Sequence, residues 1–352
     1  MYNNQYSGYS PFNFGIELEE RKKKQRHTFS LLFLALFIYL LSFNVITIAI
    51  YLLAPLVLGR DTALQLLDNP IADVLLSSAV QYLIAFPIFL LITCRIQKAE
   101  KKQKKNLSGA EIFMMFAVAE ALMFAGNLIG TMLNNIIGSY IGHIPENGVE
   151  STVTVTPMWL VFIVMVILAP IFEELVFRKV LIDRLAVYGD LPAILFSAVA
   201  FGLMHGNLYQ LFYATMLGVL LGYIYTNTRQ VKYTILIHML INFFGSVVAL
   251  PIQEAFSVFT EQLNAYMGGF PYDTLKLAVS GIITMLYTTF QYGLFIAGGL
   301  VVIYRLIRKE IKVSTDREIY LSGKDLAKGG IVNAGSILFI SLTVFFMIIS
   351  LF

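Results

Sequence analysis

Stretches of about 20 apolar residues recur along this chain. Each is long enough to cross a hydrocarbon layer about 30 Å thick as a helix rising 1.5 Å per residue. That pattern decides most of the fold, because a backbone in hydrocarbon must satisfy its own N–H and C=O groups, which only helices and closed barrels do. Composition agrees: the chain is 58% hydrophobic and 13% charged, where a soluble domain has about 45–50% and about 25%. The sequence therefore predicts an all-α, polytopic transmembrane helical bundle of about nine spans, eight being the other count. The spans fall at 29–58, 73–94, 110–138, 157–185, 191–207, 208–228, 233–250, 277–304 and 331–351. The fifth and sixth are short and joined at "HGNLYQ", a joint tight enough to dip into the membrane.

Charge sets the expected orientation. A polar tail, 1–28, carries "RKKKQRH" ahead of the first span. No small-residue cleavage site follows, so that span reads as a retained anchor. With the N-terminus cytosolic, every one of the 25 Lys and Arg residues except Arg60 and Lys276 falls on the cytosolic side, as the positive-inside rule requires. The outer loops carry Asp61, Asp68, Glu146, Glu150, Glu254, Glu261 and Asp273 instead. Within 251–275, Ile252, Ala255, Phe256, Phe259, Leu263 and Tyr266 recur at helical spacing and predict an amphipathic helix lying on the outer surface. Gly126-x-x-x-Gly130 and Gly218-x-x-x-Gly222 predict close helix packing within the bundle. The single cysteine, Cys94, excludes an intrachain disulfide. The net charge of +3 is spread as orienting loops, with no nucleic-acid footprint. Usage rich in Lys, Ile, Phe and Tyr points to a bacterial plasma membrane. The chain thus divides into the tail 1–28, three N-terminal spans within 29–156, a core at 157–250, and 251–352 with the outer segment and two further spans.

The informative residues are the polar ones inside apolar runs, since a charge at the bilayer centre costs about 2.5–3.5 kcal/mol on insertion scales. "VMVILAPIFEELVFRKVLI" holds Glu173, Glu174 and Arg178. Glu174 and Arg178 stand i, i+4 in the acid-first order that favours an ion pair. Glu173, about 100° around the helix, lacks that partner, which suits a general base. His205 in "AFGLMHGN" has Phe201 one turn before it, on the same face. His238 in "LIHMLINFF" shares a face with Asn242. Counted from the cytosolic helix ends, Glu173 and Glu174 lie at about 15–20 Å, His205 at about 20 Å, Asn242 at about 15 Å and His238 at about 10 Å. These groups can share one layer. Glu120, Asn127 and Asn134 form a polar stripe at heptad spacing, expected to face the bundle interior. Glu120, at about 15 Å, is expected to play a supporting structural part, with Arg178 or a histidine as candidate partner.

The ordered set Glu173-Glu174-x-x-x-Arg178, Phe201-x-x-x-His205 and His238-x-x-x-Asn242 resembles the CPBP (CAAX protease and bacteriocin-processing, or Abi) family of intramembrane proteases, over about residues 157–250. The resemblance implies an endopeptidase in which Glu173, helped by His205, activates water. His238 and Asn242 would stabilise the oxyanion, and Glu174 with Arg178 would organise the site. Its substrate would be a peptide or membrane-associated protein in the lipid bilayer, and in bacteria the implied roles are peptide maturation, bacteriocin immunity or membrane-protein cleavage. Two cofactor readings stand side by side. Glu173, His205 and His238 have the composition of a catalytic zinc site, and a metal-free glutamate mechanism with an oxyanion hole fits equally. His-Glu-x-x-His is absent. The rivals are a proton-coupled carrier, which also uses intramembrane carboxylates and histidines, and a non-catalytic membrane scaffold.

Overall fold

The computed structural model describes residues 11–100, 102–145 and 153–352. Among them the elements are helical, with no strand. In chain order they are α1 (Pro11–Leu58), α2 (Arg60–Leu67), α3 (Pro70–Thr93), α4 (Gly109–Ile141), α5 (Met158–Tyr188), α6 (Asp190–Met204), α7 (Leu208–Thr228), α8 (Val231–Met267), α9 (Thr274–Ile307), α10 (Gly323–Ile331) and α11 (Ala334–Ile349). Seven of these are long and apolar enough to cross a membrane, and counting the pair α10 and α11, bent by 63°, as one span brings the number to eight.

Two elements differ from the sequence expectation. The fifth expected span is α6, which has 15 residues and reaches only about 22 Å at the helical rise. It falls short of the hydrocarbon thickness. The 251–275 segment is helical as its spacing predicts, but over 249–267 it continues α8 without a break instead of forming a separate surface helix. Pro251 at the junction has no N–H to donate, and the chain passes it directly after a π-helical turn, Phe243–Val248, with the helix unbroken on both sides.

The basic segments gather at one end of the bundle. Lys24 Nζ bonds Gln97 (2.9 Å), the Glu100 N–H donates to Glu318 (2.6 Å), and Gln230 donates to the Lys105 carbonyl (2.7 Å). Asp190 at the start of α6 pairs with Arg229 (2.7 Å) and Lys102 (3.2 Å). At the opposite end His143 bonds the Leu351 carbonyl and Tyr209 donates to the Pro145 carbonyl.

Two apolar cores fill the bundle. One joins α1, α3, α5, α6 and α11 through residues such as Phe29, Phe89, Phe177, Phe201 and Phe339. The other joins α4, α7, α8 and α9 through Met115, Leu217, Leu221, Ile237, Ile241 and Leu294. Large apolar residues point outward elsewhere, among them Leu56, Leu83, Leu286 and Ile307, a surface suited to lipid and not to water. The glycine pairs work inside the bundle: a Cβ on Gly126 would stand 2.5 Å from the Tyr213 Cα, and one on Gly218 would stand 2.9 Å from the Ala198 Cα. They draw α4 onto α7 and α7 onto α6.

Gly126→Ala is expected to destabilise the protein by about 1–3 kcal/mol, because the new methyl meets backbone that cannot yield cheaply. Gly299→Ala, with nothing within 4 Å of its Cβ, serves as the control. Thermal denaturation of purified protein in detergent measures both, and equal midpoints would contradict this packing.

Candidate active site

Local sequence shapes the helix that carries the paired glutamates. Within α5, Ala169–Glu174 is α-helical and is flanked by π-helical turns at Phe162–Leu168 and Leu175–Ile182. Such widened turns recur at functional sites. Pro170 has no N–H to donate, so the carbonyl of Met165, which a π turn would offer to residue 170, needs another donor. Asn242 supplies it through Nδ2 at 2.7 Å. One proline thus ties α8 to α5 at the level of the site.

Glu174 is fully buried and holds two partners. Its Oε2 lies 3.0 Å from Arg178 Nε, and both side chains are 0% exposed. Its Oε1 accepts from His238 Nδ1 at 3.0 Å. The Arg178 contact is an ion pair and not an aligned hydrogen bond, and the guanidinium Nη atoms have no acceptor among the described residues. Its planar face instead lies 4.6 Å from the Phe201 ring centroid, a cation–π contact. Phe201 also meets His205 edge-on at 4.9 Å and His238 edge-on at 5.7 Å. The aromatic read from sequence as a packing partner for one imidazole therefore seats both imidazoles and the guanidinium.

Glu173 is placed differently. Its side chain keeps 25% exposure, and its oxygen lies 3.7 Å from His238 Nε2, beyond hydrogen-bond reach. His205 caps α6, and Gly206, at φ 65°, turns the chain sharply so that Asn207 caps α7 by accepting from the Gln210 N–H. His205 Nδ1 donates to the Phe201 carbonyl at 2.7 Å, which leaves Nε2 of the neutral ring as the acceptor.

A cavity of about 800 Å³ is lined by Glu173, His205, His238, Asn242 and Glu120 among others, within the size range of ligand sites. A second cavity of about 210 Å³, on the side of Tyr39 and Gln81, also reaches Glu173 and His205. The expected residues thus come together, Glu174 and Arg178 behind the wall and the rest on it. Glu120 meets no cation: it has no ion pair with any described residue, so the expected contact with Arg178 or a histidine is not formed. Asn134 turns away and donates to the Gly130 carbonyl at 2.9 Å. The zinc reading fits poorly. Among the described residues no three His, Cys, Asp or Glu side chains converge to hold a metal ion, although Nδ1 of both site histidines is engaged in a way that leaves Nε2 of each ring open.

Residues 155–244 match the Rce1-like type II CAAX prenyl endopeptidase family. Every residue of the three motifs lies in that segment. That segment is similar to a CAAX-protease core. YdiL of Bacillus subtilis (strain 168), a candidate membrane peptidase by description, is 26% identical over 195 residues, which cover 54% of this chain and 79% of YdiL. The membrane-embedded CAAX protease MroQ of Staphylococcus aureus (strain USA300) is 29% identical over 195 residues, covering 53% of this chain and 78% of MroQ. No solved structure matches the chain. At family level this match and these relatives support proteolysis by an integral membrane protein.

Sequence reasoning missed Thr234, which is fully buried one turn before His238 and donates to the Val231 carbonyl at 2.9 Å. Its signal was present: Thr234, His238, Asn242 and Ser246 stand at a strict spacing of four on α8. Tyr39 and Gln81, bonded to each other at 3.1 Å, were also missed, because nothing local links α1 to α3 across that distance.

Arg178→Met leaves Glu174 buried without its guanidinium, and a loss of about 3–5 kcal/mol is expected, the usual cost of breaking a buried pair from one side. The double variant Glu174→Gln/Arg178→Met is expected to recover part of that loss. Denaturation midpoints read both, and an unchanged midpoint for the single variant would show that the pair is not a structural requirement.

Proposed function

We propose that this protein is an intramembrane endopeptidase that hydrolyses peptide bonds of membrane-associated peptides or proteins with water activated by Glu173. The observation that carries this reading is the unequal treatment of two adjacent acids. Glu174 is spent between Arg178 and His238, whereas Glu173 stays open to a cavity with a bare imidazole nitrogen nearby.

In this mechanism the Glu173 carboxylate, with His205 Nε2, takes a proton from water as the oxygen attacks the carbonyl carbon. His238, with Nδ1–H held by Glu174, offers an Nε2–H to the developing oxyanion in its charged form. Asn242 has one N–H left after its bond to Met165 and can add a second donor. The proton held by Glu173 passes to the departing nitrogen as the C–N bond breaks, giving an acid and an amine. Arg178 keeps Glu174 charged, and Glu174 orients His238. Glutamate chemistry without a metal is the version the donor set favours. The basic end of the bundle faces the cytosol in this reading, which puts the site in the cytosolic half of the membrane.

Glu173→Gln is expected to lower kcat by about 10²–10⁴, and His238→Ala by about 10²–10³, with folding unchanged. Peptide cleavage by purified protein, read by mass spectrometry, measures both; a folded Glu173→Gln variant with full activity rejects the mechanism. Treatment with a zinc chelator is expected to leave the rate unchanged. Loss of activity that added zinc restores would replace the metal-free version.

A further inference from the structure

Glu120 is the carboxylate that this arrangement leaves unexplained. It projects from α4 into the same 800 Å³ cavity as Glu173, His205 and His238, yet it has no hydrogen bond or ion pair with any described residue. Other inner acids are matched: Glu174 with Arg178 and His238, Asp190 with Arg229 and Lys102, Asp183 with Lys179 at 2.8 Å. Among the described residues lining the cavity, two are glutamates and none is Lys or Arg. His238 stands beside Glu173; among the described residues nothing of positive charge stands beside Glu120.

A second unmatched acceptor lines the same cavity. On α9, Gln291 gives its N–H to Tyr287 at 2.8 Å, and its Oε1 is buried with no donor among the described residues. Both residues line the cavity with Glu120. The position is also held firmly. A Cβ on Gly298 would overlap the Ala117 carbonyl oxygen, and Gly126 is pressed on Tyr213, so α4 is clamped between α9 and α7 on either side of Glu120. The remaining wall is largely apolar, with Met123, Phe124, Leu217 and Phe295.

A carboxylate and a spare amide oxygen, fixed in an apolar cavity, form a site for one group that brings several N–H donors and a positive charge. Building on the proteolytic reading above, we propose that Glu120 is a specificity-determining residue that selects apolar peptides carrying a single lysine, arginine or free amino group close to the bond to be cut. The apolar wall takes the neighbouring side chains, and the cation sets the register of the peptide against Glu173.

The test uses the full chain in detergent and an apolar peptide series in which one lysine is moved along the sequence, with norleucine and glutamate in the same places. In one register wild-type protein is expected to cut the lysine peptide about tenfold or more better than the norleucine peptide in kcat/KM, with glutamate poorest. In Glu120→Gln the lysine-to-norleucine ratio is expected to collapse toward one, and Glu120→Asp is expected to keep part of it. A purely structural role would slow all peptides alike and preserve the ratio. A wild-type ratio near one, or the same ratio in Glu120→Gln, overturns the proposal. Binding of the labelled lysine and norleucine peptides to Glu173→Gln is measured in parallel. Tighter lysine binding there, lost when Glu120→Gln is added, supports the cation site even if no peptide is cut, a result that would reject the proteolytic reading alone. Equal binding of the two peptides rejects the cation site.

Discussion

A completely buried carboxylate, Glu174, carries the centre of this protein. It cannot stand alone in a low-dielectric interior, since an unpaired charge there costs several kcal/mol. The chain answers with Arg178 from the same helix and His238 from α8. Those two partners in turn need a surface to lie on, and Phe201 of α6 presents its ring to the guanidinium and both histidines. Three helices are thereby fixed around one acid, and the two apolar cores meet across it.

That arrangement separates the duties of neighbouring glutamates. With Glu174 consumed by structure, Glu173 is free to face the cavity, and the π-helical turns on both sides of the pair set the angle at which it does so. Pro170 contributes twice, by widening the turn and by exposing a carbonyl that recruits Asn242. The same device that shapes α5 therefore positions a candidate oxyanion donor. The site is assembled from backbone irregularities as much as from side chains.

The three motifs were legible because each needs only local spacing: an acid and a base four apart, a ring one turn before a histidine, a histidine one turn before an amide. Their convergence was foreshadowed by depth along the helices. Phe201 as a seat for three groups was not legible, because Arg178 and His238 reach it from other helices. The helix through 249–267 was legible as a helix but its unbroken run from α8 was not, because amphipathic spacing is the same on a separate helix and on the continuation of a span. The shortness of α6 was partly visible in the tight joint at His205. Zinc was suggested by residue types alone; Glu173, His205 and His238 line one cavity, but among the described residues no three such side chains converge as a metal group.

By itself the sequence determined that this chain is a helical membrane protein, because apolar length and backbone satisfaction in hydrocarbon permit little else. It also determined which polar residues had to matter, since each is too costly in lipid to keep without a role. Only the tertiary structure decided that His238 and Phe201 close around the Glu174–Arg178 pair, and that Glu120 looks into the cavity with no cation among the described residues to meet it. Those outcomes depend on contacts between helices far apart in sequence, and no local spacing encodes which face a neighbouring helix will turn toward a given charge.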